Sequence, residues 1–202
     1  TLLLGLAAAT LLPLLQGCFP VVATGVGAGA ALVSDRRTSG TYVEDEGIEW
    51  KVSSRIRERF GNTAHINVTS YNRNVLLTGE APNATVRGEL DAIVAGVEHV
   101  RGVINEVVVG PNSALTARGN DTLITSNVKA RFVDAGRFSA HNVKVVTEAN
   151  VVFLMGIVTR AEADAAAEVA RTSQGVRKVV RVFEYISDEE ARRLDNPTGA
   201  RR

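Results

Sequence analysis

The sequence predicts an α+β fold of two tandem α-β-β-α-β units, each a three-stranded mixed sheet packed by two helices. Three observations lead there. Blocks of residues recur in the same order at offsets of 72, 77 and 76 positions, the mark of an internal repeat. Within each copy the apolar spacing switches from four to two and back, so helix and strand alternate in a fixed order. The length, 202 residues with 45% hydrophobic side chains, suits one large or two small domains with modest cores, and the repeat selects two.

The repeat is preceded by a segment of another kind. Residues 2–33 carry no charge, and Leu2 to Leu15 is an apolar run broken by Pro13 and followed by Gln16-Gly17-Cys18. Its length fits a secretory h-region and is short of the ~20 residues that span a bilayer. Leu15-x-Gly17-Cys18 resembles the bacterial lipobox, although Gln16 is unusual at its position. The chain opens at Thr1 without Met or a basic n-region, so residues 1–17 are expected to be a signal peptide with a truncated start. Cys18 is then expected to carry fatty chains (palmitate or similar) on its sulfur and amino group, and two such chains already give stable anchoring. The alternative, a membrane helix continuing through Phe19–Val33, is disfavoured by Pro13, Pro20 and the Gly25-Val26-Gly27-Ala28-Gly29 cluster. That cluster is not a dinucleotide site, because no strand and helix bracket it. Residues 18–47, ending in Glu44-Asp45-Glu46, read as a flexible tether with a reach of roughly 30 Å.

The first unit is expected over 48–110 and the second over 122–186. Val52, Ile56 and Phe60, and then Ile124, Val128 and Phe132, place apolar side chains one turn apart on one helix face. Aligned that way, the second copy has five extra residues around Gly136-Arg137-Phe138. Ile66-x-Val68 and Val143-x-Val145 alternate as strands. Asn72-Arg73-Asn74 and Ala149-Asn150 turn into a second strand, Val75–Leu77 or Val152–Leu154, making hairpins. Pro82-Asn83 and Thr159-Arg160 open the second helices, with Thr159 and Glu162 spaced as a capping box. Third strands follow over Val103–Val109 and Val179–Tyr185, reached by right-handed crossovers. Residues 111–121 read as a linker in which Asn120 or Asp121 caps the next helix. Residues 187–202 read as a charged tail, with one or two helical turns after Ser187.

These residues together resemble a family. A lipobox, two α-β-β-α-β units, Leu76-Leu77-Thr78-Gly79 and Phe153-Leu154-Met155-Gly156 at the second strands, and Gly175-Val176-Arg177-Lys178-Val179 at a third are similar to the dual BON-domain outer-membrane lipoproteins of Gram-negative bacteria. The resemblance covers residues 12–186; the first copy departs from it with His99-Val100 where Gly-Val is the pattern. It implies two BON-type units, no catalysis, contact with anionic phospholipid, and a part in outer-membrane integrity. Phe19 rather than Asp after Cys18 favours sorting to the outer membrane, with the protein facing the periplasm. The family's lipid contact lies on the first helix of the second unit, which here assigns Gly119, Asn120, Asp121, Leu123, Ser126, Asn127, Lys129, Ala130 and Arg131. Leu123 stands where relatives tend to carry an aromatic residue.

Charge supports that helix. Residues 1–110 hold nine basic and eleven acidic side chains, residues 111–147 five and two, and residues 148–202 nine and nine. The local excess is Arg118, Lys129, Arg131, Arg137 and Lys144. Leu123, one residue before core-facing Ile124, is rotated about 100° from it and should project outward; the competing view packs it on the first unit. Other functions find little support. A net charge of +1 and the scattered Trp50, Tyr71 and Tyr185 give no nucleic-acid platform. Lys51, Arg55, Arg57 and Arg59 are diluted by Glu49 and Glu58. His65 and His141 lack a third ligand at metal spacing, His99 is isolated, and Asp164 and Glu168 have no nucleophile or pocket. No metal, cofactor, catalytic residue or small-molecule substrate is therefore expected. The second functional expectation is an adaptor that docks an outer-membrane assembly or division-site protein through a sheet edge or the groove between units.

Overall fold

Both copies fold in the expected order. The computed structural model describes residues 35–196, so the expected signal peptide, Cys18 and the last residues of the tail lie outside it. The first unit runs α1 (Ser39–Phe60), β1 (His65–Tyr71), β2 (Asn74–Ala81), α2 (Ala84–Ala95), β3 (Gly102–Asn105) and β4 (Val108–Val109). The second runs α3 (Leu115–Ala135), a 3-10 turn (Ala140–Asn142), β5 (Lys144–Glu148), β6 (Val151–Val158), α4 (Arg160–Arg171) and β7 (Lys178–Tyr185), followed by α5 (Asp188–Asp195). In each sheet the middle strand pairs antiparallel with its hairpin partner and parallel with the strand after the crossover. The first sheet has four strands rather than three, because its last strand breaks at Glu106-Val107 and resumes as β4 alongside Glu80 and Ala81.

Helix α1 buries Ile48, Val52 and Ile56 against Val75, Leu77, Leu90 and Val94. Helix α3 buries Ile124, Val128 and Phe132 against Val152, Leu154 and the alanine-rich face of α4. Alternate residues of the same strands point the other way. Leu76 and Tyr71 meet Phe153, Met155 and Ile157, with Ile104, Val146, Val180 and Val182 around them. The two sheets thus cover each other's open faces, giving four layers in the order helix, sheet, sheet, helix. Units this small have little core of their own, and the shared apolar layer supplies a third.

The two long helices correct the expected repeat register. A buried aspartate lies three residues before the first core isoleucine in each: Asp45 before Ile48, Asp121 before Ile124. Both do the same work. Asp45 accepts the backbone N–H of Asn72 (2.8 Å) and Arg73 (2.7 Å), and Asp121 those of Ala149 and Asn150 (both 2.9 Å). These are the central residues of the hairpin turns, all with positive φ, as a type I′ turn requires. The carboxylate holds a backbone conformation that costs roughly 1–2 kcal/mol for an L-residue. With the aspartates superposed, the helices match at an offset of 76, not 72, and the five-residue insertion disappears. An apolar residue every fourth position matches itself after a slip of one turn; the aspartate does not.

Three boundaries also move. Helix α1 starts at Ser39, inside the expected tether, because Thr38 accepts the Thr41 N–H and Glu44-Asp45-Glu46 lie near the favourable end of the helix dipole. Helix α3 starts at Leu115, inside the expected linker; Asp121 is a turn anchor, not a cap. Its Gly119-Asn120-Asp121 run has weak helix propensity and concealed two turns. The start of the expected tail is a docked helix: Ser187 accepts the Glu190 N–H, Ala191 is buried and Leu194 joins the layer between the sheets. The expected capping box at Thr159 and Glu162 is present. Gly79 and Gly156, which close the second-strand motifs, are close-approach positions, since a Cβ there would strike the carbonyls of His65 and Asn142.

Residues 35–37 are built into the body. Arg36 is buried and donates to Glu162, Asp195 and the Ile157 carbonyl at 2.7–2.9 Å. Arg37 pairs with Asp35 and Asp45 and lies over the Tyr71 ring. Burial alone raises the Glu162 carboxyl, but the Arg36 guanidinium and the Thr159 amide outweigh it and hold the group below the usual carboxylate range.

Candidate membrane-contact surface

Helix α3 presents two apolar faces. Opposite the buried Ile124, Val128 and Phe132 are Leu115, Leu123 and Val133, exposed at 80%, 70% and 69%. At about 100° per residue the three fall within some 80° of one another, on a stripe about 27 Å long. Gly119, Ser126 and Ala130, all exposed, fill the stripe with small side chains. Leu123 borders a groove of 340 Å³ with Asn120, Asn127 and Gln174.

Of the nine residues assigned to lipid contact, six are exposed and a seventh is partly so. Gly119, Asn120, Leu123, Ser126, Lys129 and Ala130 are exposed and Asn127 is half-buried. Two are engaged elsewhere. Asp121 is 6% exposed and committed to the β5–β6 turn. Arg131 donates to the Val169 carbonyl (3.0 Å), Ser173 Oγ (2.7 Å) and Thr172 Oγ1 (3.1 Å), closing the end of α4. Leu115 and Val133 were missed. The linker boundary hid Leu115, and Val133 beside core-facing Phe132 gave no separate signal.

The positive excess is also partly neutralised. Lys144 pairs with Glu49 at 2.9 Å, and Arg118 donates to Ser113 Oγ and the Ser113 carbonyl. Lys129 and Arg137 remain without an ion-pair or hydrogen-bond partner among the described residues. Lys129 and Val133 line a 380 Å³ groove with Asp35, Arg37 and His141. Residues 35–37 therefore lie beside α3.

The remaining titratable candidates fall to structural roles or new company. Asp164 pairs with Arg181, Glu168 with Arg171 and His99 with Glu44. His65, expected to lack further ligands at metal spacing, has Glu80 and Glu148 beside it, with ligand atoms all within 4.8 Å of one another. They are distant in sequence, and Glu148 comes from the other unit, so no spacing rule reveals them. No helix among the described residues is long and apolar enough to cross a membrane.

The BON domain model matches residues 44–111 and 120–187, an offset of 76 that agrees with the aspartate register. The chain belongs to the BON-domain family, as a tandem member. The chain shares 38% identity over 174 residues with Outer membrane lipoprotein DolP of Haemophilus influenzae, covering 85% of this chain and 90% of that one. A 21 kDa hemolysin of Actinobacillus pleuropneumoniae is also 38% identical, over 75% of this chain and 79% of its own. Osmotically-inducible protein Y of Escherichia coli is 28% identical over 77% and 80%. The DolP-like character thus extends through both BON domains.

Proposed function

We propose that this chain is an outer-membrane lipoprotein facing the periplasm, anchored through acylated Cys18, whose second BON domain rests the outward face of α3 on anionic phospholipid. It acts by binding, without catalysis, and supports envelope integrity by holding the module at the bilayer. The observation that carries the reading is Leu123: 70% exposed, between Leu115 and Val133 on a helix whose core contacts are already complete. Outer-membrane lipoprotein is also the printed description of the H. influenzae relative. A stripe of this size inserts a few apolar tips, while Lys129 and Arg137 meet phosphate at about 1 kcal/mol each. The junction of residues 35–37 beside Lys129 suits attachment at two points, since a tether leaving there holds α3 near the bilayer that carries its anchor.

Unacylated protein should co-sediment with phosphatidylglycerol vesicles, and Leu123→Glu should remove that binding at unchanged fold. Undiminished sedimentation of the variant takes the lipid role away from α3. The adaptor reading is favoured by one feature, exposed Val108 and Val109 on the short strand β4. Binding that survives 0.5 M salt and needs β4 rather than α3 would support it, because screening weakens the cationic contribution.

A further inference from the structure

We propose that His65, Glu80 and Glu148 form a divalent transition-metal site that staples the two BON domains together, with Zn²⁺ as the fitting ion. His65 and Glu80 are cross-strand partners of β1 and β2, so their side chains emerge side by side on the face turned toward the second sheet. Glu148 ends β5 and reaches that face from the other domain. Their ligand atoms lie within 4.8 Å of one another. A tetrahedral Zn²⁺ with N and O ligands needs spacings of about 3.3 Å, so small side-chain rotations close the set.

The burial and charge of the carboxylates point to a cation. Glu80 and Glu148 are 6% and 8% exposed, and neither has a Lys, Arg or His at ion-pair distance among the described residues. The two buried like charges repel across this short range, and each carboxylate loses hydration that nothing cationic replaces. A dication between them removes both costs. The surroundings match what orients metal ligands. Asn67 Nδ2 donates to Glu148 Oε2 at 2.6 Å and Thr78 Oγ1 to the same oxygen at 3.2 Å. The Ser113 N–H donates to Glu80 Oε2 at 3.1 Å, and Asn67 Nδ2 lies 3.5 Å from His65 Nε2. One imidazole and two carboxylates make a mixed N/O set suited to Zn²⁺, with a fourth position for water. A groove of 460 Å³ lined by His65, Asn67, Lys129 and Glu148 opens the site to solvent; Arg118 lines it too, but its guanidinium is spent on Ser113.

The test uses the full chain in detergent, stripped with a chelator and titrated with Zn²⁺ by calorimetry, with Co²⁺ absorption as a spectroscopic probe. One equivalent should bind, and bound Zn²⁺ should raise the thermal midpoint. Glu148→Gln and His65→Ala should each weaken binding about 100-fold and abolish the thermal shift, and Thr78→Val should weaken it about tenfold. His141→Ala and His99→Ala should leave binding unchanged. Far-UV circular dichroism checks each fold; the half-exposed His65 gives a variant that keeps the proposal testable if Glu148→Gln unfolds. Absence of stoichiometric binding overturns the proposal. So does binding that survives both Glu148→Gln and His65→Ala in folded protein, or binding lost with His141 or His99 instead.

Discussion

The first helices of the two BON domains are alike inside and different outside. Inward, Asp45, Ile48, Val52 and Ile56 of α1 correspond to Asp121, Ile124, Val128 and Phe132 of α3. Outward, α1 shows Val43, Gly47, Trp50, Ser54 and Arg57 where α3 shows Gly119, Leu123, Ser126, Ala130 and Val133. Helix α1 is capped by a threonine; α3 has Ala114 in the cap position, which offers no side-chain hydrogen bond. Asp45 is paired with Arg37 and also accepts the Ser70 hydroxyl, whereas Asp121 serves the turn alone. In the first copy His99 takes a positive φ where the second has Gly175, and a Cβ at Gly175 would press on Ile124. The fold therefore fixes one side of each helix and leaves the other free to diverge. Any difference in what the two domains do is to be sought on the outward sides.

The sharpest way to break this comparison is at the aspartates. Asp45→Ala should cost about 3–5 kcal/mol, because it takes one of two carboxylates from the buried Arg37 guanidinium and also unpairs the turn amides. Asp121→Ala should cost about 2–3 kcal/mol from the two amides it leaves unpaired. Urea denaturation of the two variants checks the order, and equal losses would mean that Arg37 adds nothing to the first copy. Next comes Arg36→Ala, expected to destabilise by about 2 kcal/mol through its partners' lost hydrogen bonds. The same contact gives an acid signature. Glu162 is held below its ordinary value of 4.5, so its contribution is complete above that pH and disappears as pH falls through the lowered value. The stability gap between wild type and Arg36→Ala should narrow below pH 4.5.

Two smaller effects concern the outward faces. Leu123→Glu should lower vesicle affinity at least about tenfold, a loss of about 1.4 kcal/mol, while Trp50→Ser on α1 should change it by less than about twofold. The reverse result would exchange the roles of the two helices. Lys129→Gln should lower affinity about fivefold at low salt, the worth of one cation near an anionic surface, and Lys51→Gln should not. Sedimentation at two ionic strengths separates these variants.

Much of this was legible in the sequence, and the failures share a cause. Core positions repeat at helical or strand spacing, so Ile124, Val128, Phe132 and both hairpins can be read directly. Asp45 and Asp121 were misread, one as part of a flexible tether and the other as linker cap or lipid ligand. A buried aspartate in a helix is rare, and its partners are turn amides nearly thirty residues away. Arg131 and Lys144 were counted as free cations because sequence shows a charge but not the carbonyl or carboxylate that occupies it. The facing sheets were invisible for a related reason. Strand Val151–Val158 is apolar on both faces, which signals double burial without saying what lies on the second side, while Asn74–Ala81 breaks up its second face with Asn74, Thr78 and Glu80.

The strap at Arg36 decides where a pull arrives. It belongs to the segment that leads into the first domain, yet its guanidinium grips Glu162 and Asp195 of the chain's second half. Tension on the upstream chain, as when an anchored protein is dragged sideways, is therefore delivered to the ends of α4 and α5 as well as to Tyr71 and α1, which the neighbouring Asp35 and Arg37 hold. The domain proposed to rest on lipid therefore shares with the first the load that arrives along the chain.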